Sequence, residues 1–338
     1  MKVLITGGAG FMGSNMVHYL LGRQENVEVV VLDKLTYCGN LENLRDLDGN
    51  TRYHFVKGDI ADQKIVDEVV GGGVDVILNY AAETHVDRSI LDPTAFLYTE
   101  IIGTYNLLES TKKFGIKKMV QVSTDEVYGS TVDGLFTEET RFDPSSPYSA
   151  AKAGADHLCS AYFKTYGTPV VVTHSCNFYG PNQYPEKVIP LFITNLIEGK
   201  KVPLYGDGSN VREWIFTEDH CSAIEMIIEK AASGSVYNIG TDYRISNIEL
   251  TQKILALMGV GEEMIERVKD RPGHDWRYAV DHTRLTQELG WRPRVDFEEG
   301  LKKTIAWYRE HEAWWKPLKS GAYLEYYKQN YASKGHMV

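Results

Sequence analysis

The chain is predicted to adopt an α/β fold: a doubly wound parallel sheet followed by a smaller, loop-rich C-terminal lobe. Three observations carry this. Short, nearly all-apolar runs alternate with helix-length segments through the first half of the chain. A glycine cluster sits where the first strand should turn into the first helix. After about residue 174 the alternation weakens, and prolines, glycines and aromatics become frequent. Strands that alternate with helices imply a parallel sheet covered on both faces, and strands covered on both faces read as continuous apolar runs.

In order, strands are predicted at 3–6, 27–32 (ending at Asp33), 53–56 (ending at Gly58-Asp59), 74–80, 118–122 and 169–173, with helices at 11–21, 63–70, 93–113 and 148–166. Tyr179-Gly180-Pro181, Tyr205-Gly206-Asp207-Gly208 and Arg271-Pro272-Gly273 give the later part its loop-rich texture. Residues 217–240 again read as helix plus strand. The first domain is therefore expected to comprise 1–174 plus about 213–238, and the second 175–212 and 239–338. Trp307, Tyr308, Trp314 and Trp315, set among charges, are expected to pack a terminal helix.

The 338 residues carry a net charge of −10, which argues against a binder of nucleic-acid backbone. Cys38, Cys159, Cys176 and Cys221 form no C-x-x-C pair, so neither a metal site nor a disulfide framework is expected, and a reducing compartment fits best. The opening apolar run is too short for a signal peptide, and no stretch approaches the roughly 20 apolar residues of a membrane span. A cytoplasmic location is expected.

Gly7, Gly10 and Gly13 form a G-x-x-G-x-x-G turn between the first strand and the first helix, with Phe11 and Met12 opening the helix. Such glycines permit a tight turn, close backbone approach to a pyrophosphate and close helix packing, and a helix N-terminus offers free N–H groups to phosphate. Asp33 lies 20 residues past Gly13 at the end of the second strand, where a carboxylate accepts hydrogen bonds from adenosine ribose hydroxyls and repels a 2′-phosphate. This is a Rossmann-type site for NAD. Lys34, Leu35 and Thr36 follow it; Asp59-Ile60 after the third strand would reach the adenine, and Ala81-Ala82 after the fourth would let the backbone approach the cofactor's middle.

Tyr148 and Lys152 are four apart on a predicted helix and share a face. An ammonium beside a phenol favours the phenolate, which suits a tyrosine that takes a hydroxyl proton while hydride leaves the same carbon. Thr124-Asp125-Glu126 ends the fifth strand, and ligands of open parallel sheets bind beyond the carboxyl ends of strands. Thr124 is expected to bond the reacting oxygen. Asp125 and Glu126 are expected to act as an acid–base pair, since neighbouring carboxyls split their pKa values.

Together these residues resemble the extended short-chain dehydrogenase/reductases, and within them the nucleoside-diphosphate-hexose 4,6-dehydratases. Further matches are the segments 33–37, 83–89, 185–187, 210–212, 218–220 and 270–275. The resemblance implies C4 oxidation by Tyr148 and NAD, water elimination across C5 and C6 by Glu126 as base and Asp125 as acid, and hydride return to C6. It implies dTDP-glucose as substrate, with UDP-glucose or UDP-N-acetylglucosamine as alternatives. It implies substrate contacts at Thr84, Thr124, Asn177, Lys187, Pro203, Tyr205, Arg212, Asn247, Arg271 and His274, a cofactor contact at Thr99, and a homodimer formed through the helices at 93–113 and 148–166. A non-catalytic NAD sensor on this fold would be expected to lack Tyr148 or Lys152, and both are present. Three positions depart from the family pattern. Phe178 and Glu100 each stand where asparagine is usual, and Trp276-Arg277 replaces an arginine pair.

Overall fold

In the computed structural model the described residues are 1–270, 274–321, 323 and 327. β1 (Lys2–Thr6) leads into α1 (Phe11–Arg23), β2 (Glu28–Asp33) and β3 (Tyr53–Lys57), and α2 (Gln63–Val70) returns the chain to β4 (Val76–Asn79). α3 (Val86–Leu91) and α4 (Thr94–Phe96) follow, then a π-helical turn (Leu97–Gly103) that runs directly into α5 (Thr104–Phe114). β5 (Lys118–Thr124), α6 (Pro147–Tyr166) and β6 (Val170–Ser175) complete the expected alternation. The predicted helix at 93–113 thus contains a π turn, a feature that clusters at functional sites. β5 and β6 each run two residues beyond their predicted ends, which brings Thr124 and Ser175 to the edge of the sheet.

β7 (Asn177–Tyr179), α7 (Val188–Ile197), β8 (Val202–Tyr205) and β9 (Val211–Phe216) build the second lobe before α8 (Thr217–Lys230) and β10 (Val236–Ile239) go back to the first. β11 (Arg244–Ser246), α9 (Asn247–Met258), β12 (Ile265–Val268), α10 (Thr283–Leu289), α11 (Phe297–Glu310) and α12 (Glu312–Leu318) follow. The main sheet has seven parallel strands in the order β10-β6-β5-β4-β1-β2-β3. The order reverses between β1 and β4, the switch point where such sheets open a crevice at their carboxyl ends. A three-stranded sheet (β11-β9-β7) and a parallel pair (β12-β8) belong to the second lobe.

Alternate residues of β1 feed opposite cores. Val3 and Ile5 pack with Met16, Leu20, Ile224 and Ile227 on one face; Leu4 packs with Val66, Leu107 and Cys159 on the other. The second lobe has its own core, in which Trp315 and Tyr308 are fully buried beside Tyr179 and Phe192, so the terminal aromatics pack α11 and α12 as expected. α6, the long helix that carries Tyr148 and Lys152, is sharply bounded. Ser146 and Ser149 form a capping box, Pro147 occupies the first turn, and Gly167 ends it in the left-handed region at φ 70°.

Candidate active site

One cavity runs along the carboxyl ends of β1, β2, β4, β5 and β6. It is lined by Gly7, Gly10, Phe11, Met12, Gly13, Asp33, Lys34, Thr36, Asp59, Ile60, Ala81, Ala82, Thr84, Thr99, Thr124, Asp125, Glu126, Tyr148, Lys152, Asn177 and Lys187. All five expected catalytic residues and all the expected cofactor residues but Leu35 therefore meet on one wall-to-wall surface. Leu35 lies off the wall, in the left-handed region at φ 59°, and its N–H donates to Asp33 at 2.7 Å.

The glycine turn is shaped by close approach. A Cβ on Gly7 would lie 2.7 Å from the Ala81 backbone, and one on Gly13 would lie 2.3 Å from the Gly7 carbonyl oxygen. The same close approach of main chain fits the small residue at 81. Among the described residues no side chain caps α1 at Gly10, so its first-turn N–H groups face the cavity without a capping partner. Asp33 is buried and accepts N–H bonds from Ala9 (3.0 Å) and Leu35 (2.7 Å), which fixes its carboxylate at the end of β2. Burial raises its pKa, and those two bonds oppose the rise. Lys34 is occupied by Glu83 (3.1 Å), Asp59 (3.4 Å) and the Thr99 hydroxyl (3.2 Å), so its charge is already balanced at this end of the cavity.

At the other end, β5 delivers Thr124 into a 3₁₀ turn over Asp125–Tyr128, and the Thr124 hydroxyl caps it by accepting the Glu126 N–H at 3.2 Å. Asp125 is almost fully buried. Its carboxyl is held well above the ordinary range, first by burial and then by the charges of Glu126 and Glu213, with the Arg212 guanidinium opposing. The expected split between two adjacent carboxyls is therefore present on the Asp125 side.

Lys152 and Tyr148 require a correction. The expectation was that the ammonium draws the phenol toward neutrality. In the structure Lys152 Nζ lies 2.9 Å from the fully buried carboxylate of Glu100. The Tyr148 phenol is pushed well above its ordinary value, first by burial, then by the charges of Glu126 and Glu100; a hydrogen bond with Thr124 opposes this. The physical reason is first the burial of the phenol and then its acidic neighbours, of which Glu100 is also paired with Lys152.

The substrate residues divide. Thr84, Thr124, Asn177 and Lys187 line the cavity; Pro203, Tyr205, Arg212, Asn247 and His274 do not, and Arg271 falls outside the described residues. Arg212, on β9, donates to the Val211 (2.8 Å) and Asp275 (3.0 Å) carbonyls and stacks 4.3 Å over the Tyr278 ring. Tyr205 and His274 meet edge to face at 6.1 Å, and His274 Nδ1 is 2.7 Å from Asp270. Asn247 opens α9, where its N–H donates to the Asn210 carbonyl at 2.9 Å; Pro203 is buried in β8.

Phe178 also faces the cavity, and its ring packs on His220 at 4.6 Å. His220 Nε2 lies 3.1 Å from the Tyr80 hydroxyl, and burial lowers its pKa to about 3, which keeps it neutral. An apolar stack thus replaces the polar contact that asparagine would make. Trp276 is half-exposed and its N–H donates to the Ser130 hydroxyl at 3.0 Å. The wall residues Ser175 and Cys176 were missed in the sequence, although the strand-end rule applied to β5 holds equally for β6. Cys38 and Tyr184, which reach the wall on loops, carry no signal in the sequence, and Glu186 is marked there only as part of the matching segment 185–187. The described residues hold no cluster of His, Cys, Asp and Glu able to bind a metal ion.

Residues 4–304 match the family described as GDP-mannose 4,6 dehydratase. A dTDP-glucose 4,6-dehydratase of Streptomyces niveus is 48% identical over 324 residues, covering 95% of this chain and 96% of that protein. Among solved structures, a dTDP-glucose 4,6-dehydratase of Streptomyces venezuelae with NAD and a second ligand bound superposes with a TM-score of 0.92 at 48% identity, covering 94% of this chain and 100% of that one. One from Bacillus anthracis in complex with NAD gives 0.89 at 50% identity, with the same coverage.

Proposed function

The chain belongs to the GDP-mannose 4,6-dehydratase family, and from that membership we propose that it is an NAD-dependent hydro-lyase converting dTDP-glucose to its 4-keto-6-deoxy product. The observation that carries this reading is the meeting of Asp125 and Glu126 with Tyr148 and Lys152 in one cavity. A plain dehydrogenase has no use for both carboxyls.

The glycine turn fits a dinucleotide, because a Cβ at Gly7 or Gly13 would fill the cradle. Gly7, Gly10, Phe11, Met12 and Gly13 would hold its pyrophosphate, Asp33 its adenosine ribose, and Asp59, Ile60, Ala81, Ala82 and Thr99 its flanks. Lys34, Leu35 and Thr36 complete the adenosine end. Bound NAD supplies the acceptor for the C4 hydride and the donor that returns it to C6. Tyr148 takes the C4 hydroxyl proton, and Thr124 bonds the same oxygen. The C4 ketone acidifies the C5 hydrogen, which Glu126 abstracts; when hydride returns to C6, a proton exchanged with solvent returns to C5. Asp125, whose carboxyl burial and Glu126 raise well above its ordinary range, gives its proton to the departing C6 hydroxyl. Lys152 orients Tyr148 and the cofactor. Thr84, Asn177 and Lys187 hold the sugar nucleotide, with Arg212, Tyr205, Pro203, Asn247 and His274 as further contacts from the second lobe; Arg271, a further expected contact, lies outside the described residues.

We take residues 1–174 with α8 and β10 as the NAD-binding unit, and the remainder as the nucleotide-sugar unit. The chain is proposed to form a homodimer through two helical segments of each copy, α4 with the π turn and α5, where Leu97, Tyr98, Ile102 and Tyr105 are exposed, and α6. A cytoplasmic location suits its four free thiols, and no helix among the described residues is long and apolar enough to cross a membrane.

The test is to incubate purified protein with dTDP-glucose in D₂O without added NAD and follow products by mass spectrometry and NMR. A product lighter by one water and deuterated at C5 is expected. Absence of both the 4-keto product and C5 exchange would overturn the reading. A parallel panel with UDP-glucose and UDP-N-acetylglucosamine decides the nucleotide.

A further inference from the structure

Glu100 lies on the π turn, and that turn packs against α6. The wider turn aims its side chain inward to Lys152, leaving Glu100 1% exposed and Lys152 4%. Lys152 lines the cavity and Glu100 does not, so the carboxylate stands behind the ammonium, on the side away from the reacting atoms. The second contact of Lys152 Nζ is the Val122 carbonyl at 3.4 Å. A buried ion pair this close holds both groups firmly, because removing one leaves the other charge uncompensated.

We propose that Glu100 is a positioning residue for the redox step: it clamps Lys152 from behind and cancels much of the ammonium's charge as felt by Tyr148. This rests on the reading of Tyr148 as the base. Neutral asparagine, usual at this position in the family, would leave the ammonium's full charge beside the phenol. Glu100 therefore makes the phenolate harder to form, and the redox step needs a higher pH than it would with a neutral residue there. Other charged groups act on this cluster. Glu126 and Asp125 face Tyr148 from the turn after β5, Asp156 faces Glu100 from α6, and the Glu83 backbone N–H bonds Glu100 from the loop after β4.

The experiment compares wild type with Glu100→Gln, Glu100→Asn and Glu100→Asp. It reads the pH profile of the C4 oxidation step and, independently of turnover, the tyrosinate ultraviolet absorbance on titration, with Tyr148→Phe as the blank. Because the phenolate is the active form, the rate rises with pH through the Tyr148 pKa. Removing the negative charge should move the acid limb and the titration to lower pH by about one unit, which is about tenfold more rate on that limb. Glu100→Asp, which keeps the charge on a shorter stem, should retain the wild-type limb at a lower rate. Glu100→Asn, the residue usual in relatives, secures the test if Glu100→Gln fails to fold. An unmoved or upward-moving limb in the neutral variants would overturn the proposal. If instead Tyr148→Phe oxidises C4 at the wild-type rate, it is the assignment of Tyr148 that fails.

Discussion

The two ends of the cavity are built from different materials. The cofactor end is backbone geometry: Gly7 and Gly13 approach neighbouring main chain so closely that a single carbon would not fit, and its one lysine is balanced by Asp59 and Glu83. The chemical end is buried charge: Asp125, Glu100 and Lys152 are buried, Glu100 pairs with Lys152 at 2.9 Å, and the Tyr148 phenol feels the charges of Glu126, Glu100 and Asp125. Geometry of the first kind tolerates a change of pH and fails on a change of volume. Chemistry of the second kind fails on loss of a single ionisable group even when volume is kept, and it responds to protonation.

The largest expected effect comes from the chemical end. Tyr148→Phe keeps the volume and removes only the hydroxyl, so folding should be unaffected while C4 oxidation falls on the order of 10³–10⁴-fold. Single-turnover formation of NADH on the enzyme measures it, and a loss under tenfold would break the contrast between the two ends. Asp125→Asn separates the two steps at nearly constant shape. Elimination should slow about 10²–10³-fold while C4 oxidation changes far less, so that NADH-bound enzyme accumulates. Equal loss of both steps would remove Asp125 from the role of C6 acid.

What could be read from the sequence follows the same division. The glycine turn, Asp33 and the Thr124-Asp125-Glu126 turn are local features, each attached to a strand end, and the structure brings them to one cavity. The contacts of Tyr205, Arg212 and His274 depend on pairings far apart in the chain, such as β8 with β12, and no local pattern announces them. Glu100 could be seen as a departure. Its bond to Lys152, 52 residues away, depends on a π turn inside what reads as an ordinary helix. A pairwise rule for Tyr148 and Lys152 therefore gives the wrong sign: it leaves out burial, which raises the phenol most, and the charges of Glu126 and Glu100.

At the cofactor end the expected effect is smaller and of a different kind. Gly13→Ala places a Cβ 2.3 Å from the Gly7 carbonyl oxygen and 2.7 Å from Gly8 Cα, so main chain must move. Overpacking of this sort costs about 1–3 kcal/mol, and NAD affinity should fall by about one to two orders of magnitude with little change in the pH profile. Gly22 lies in the same helix with nothing within 4 Å, so Gly22→Ala should instead stabilise by about 0.5–1 kcal/mol. Equilibrium denaturation and NAD titration of the two variants check both. A Gly13→Ala protein with wild-type NAD affinity would show that the turn is less constrained than its close contacts require.

The last expected effect is read in stability alone and concerns a buried imidazole beside the cavity. His220, under Phe178 and bonded to Tyr80, is buried with its pKa lowered to about 3, against about 6.5 in an unfolded chain. Above pH 6.5 both states are neutral at this residue and it has no pH-dependent effect. As pH falls below 6.5 the unfolded chain takes up a proton that the folded chain refuses, so stability is lost at up to about 1.4 kcal/mol per pH unit until the folded value is reached. Glu213, raised by burial to about 7, tilts the slope the other way. The comparison must therefore be wild type against His220→Gln, in which the Glu213 contribution cancels. Urea denaturation between pH 4.5 and 7 should give a flatter acid slope for His220→Gln by about one proton. Identical slopes would show that His220 finds a way to hold its charge in the folded protein, and the stack with Phe178 would then be polar after all.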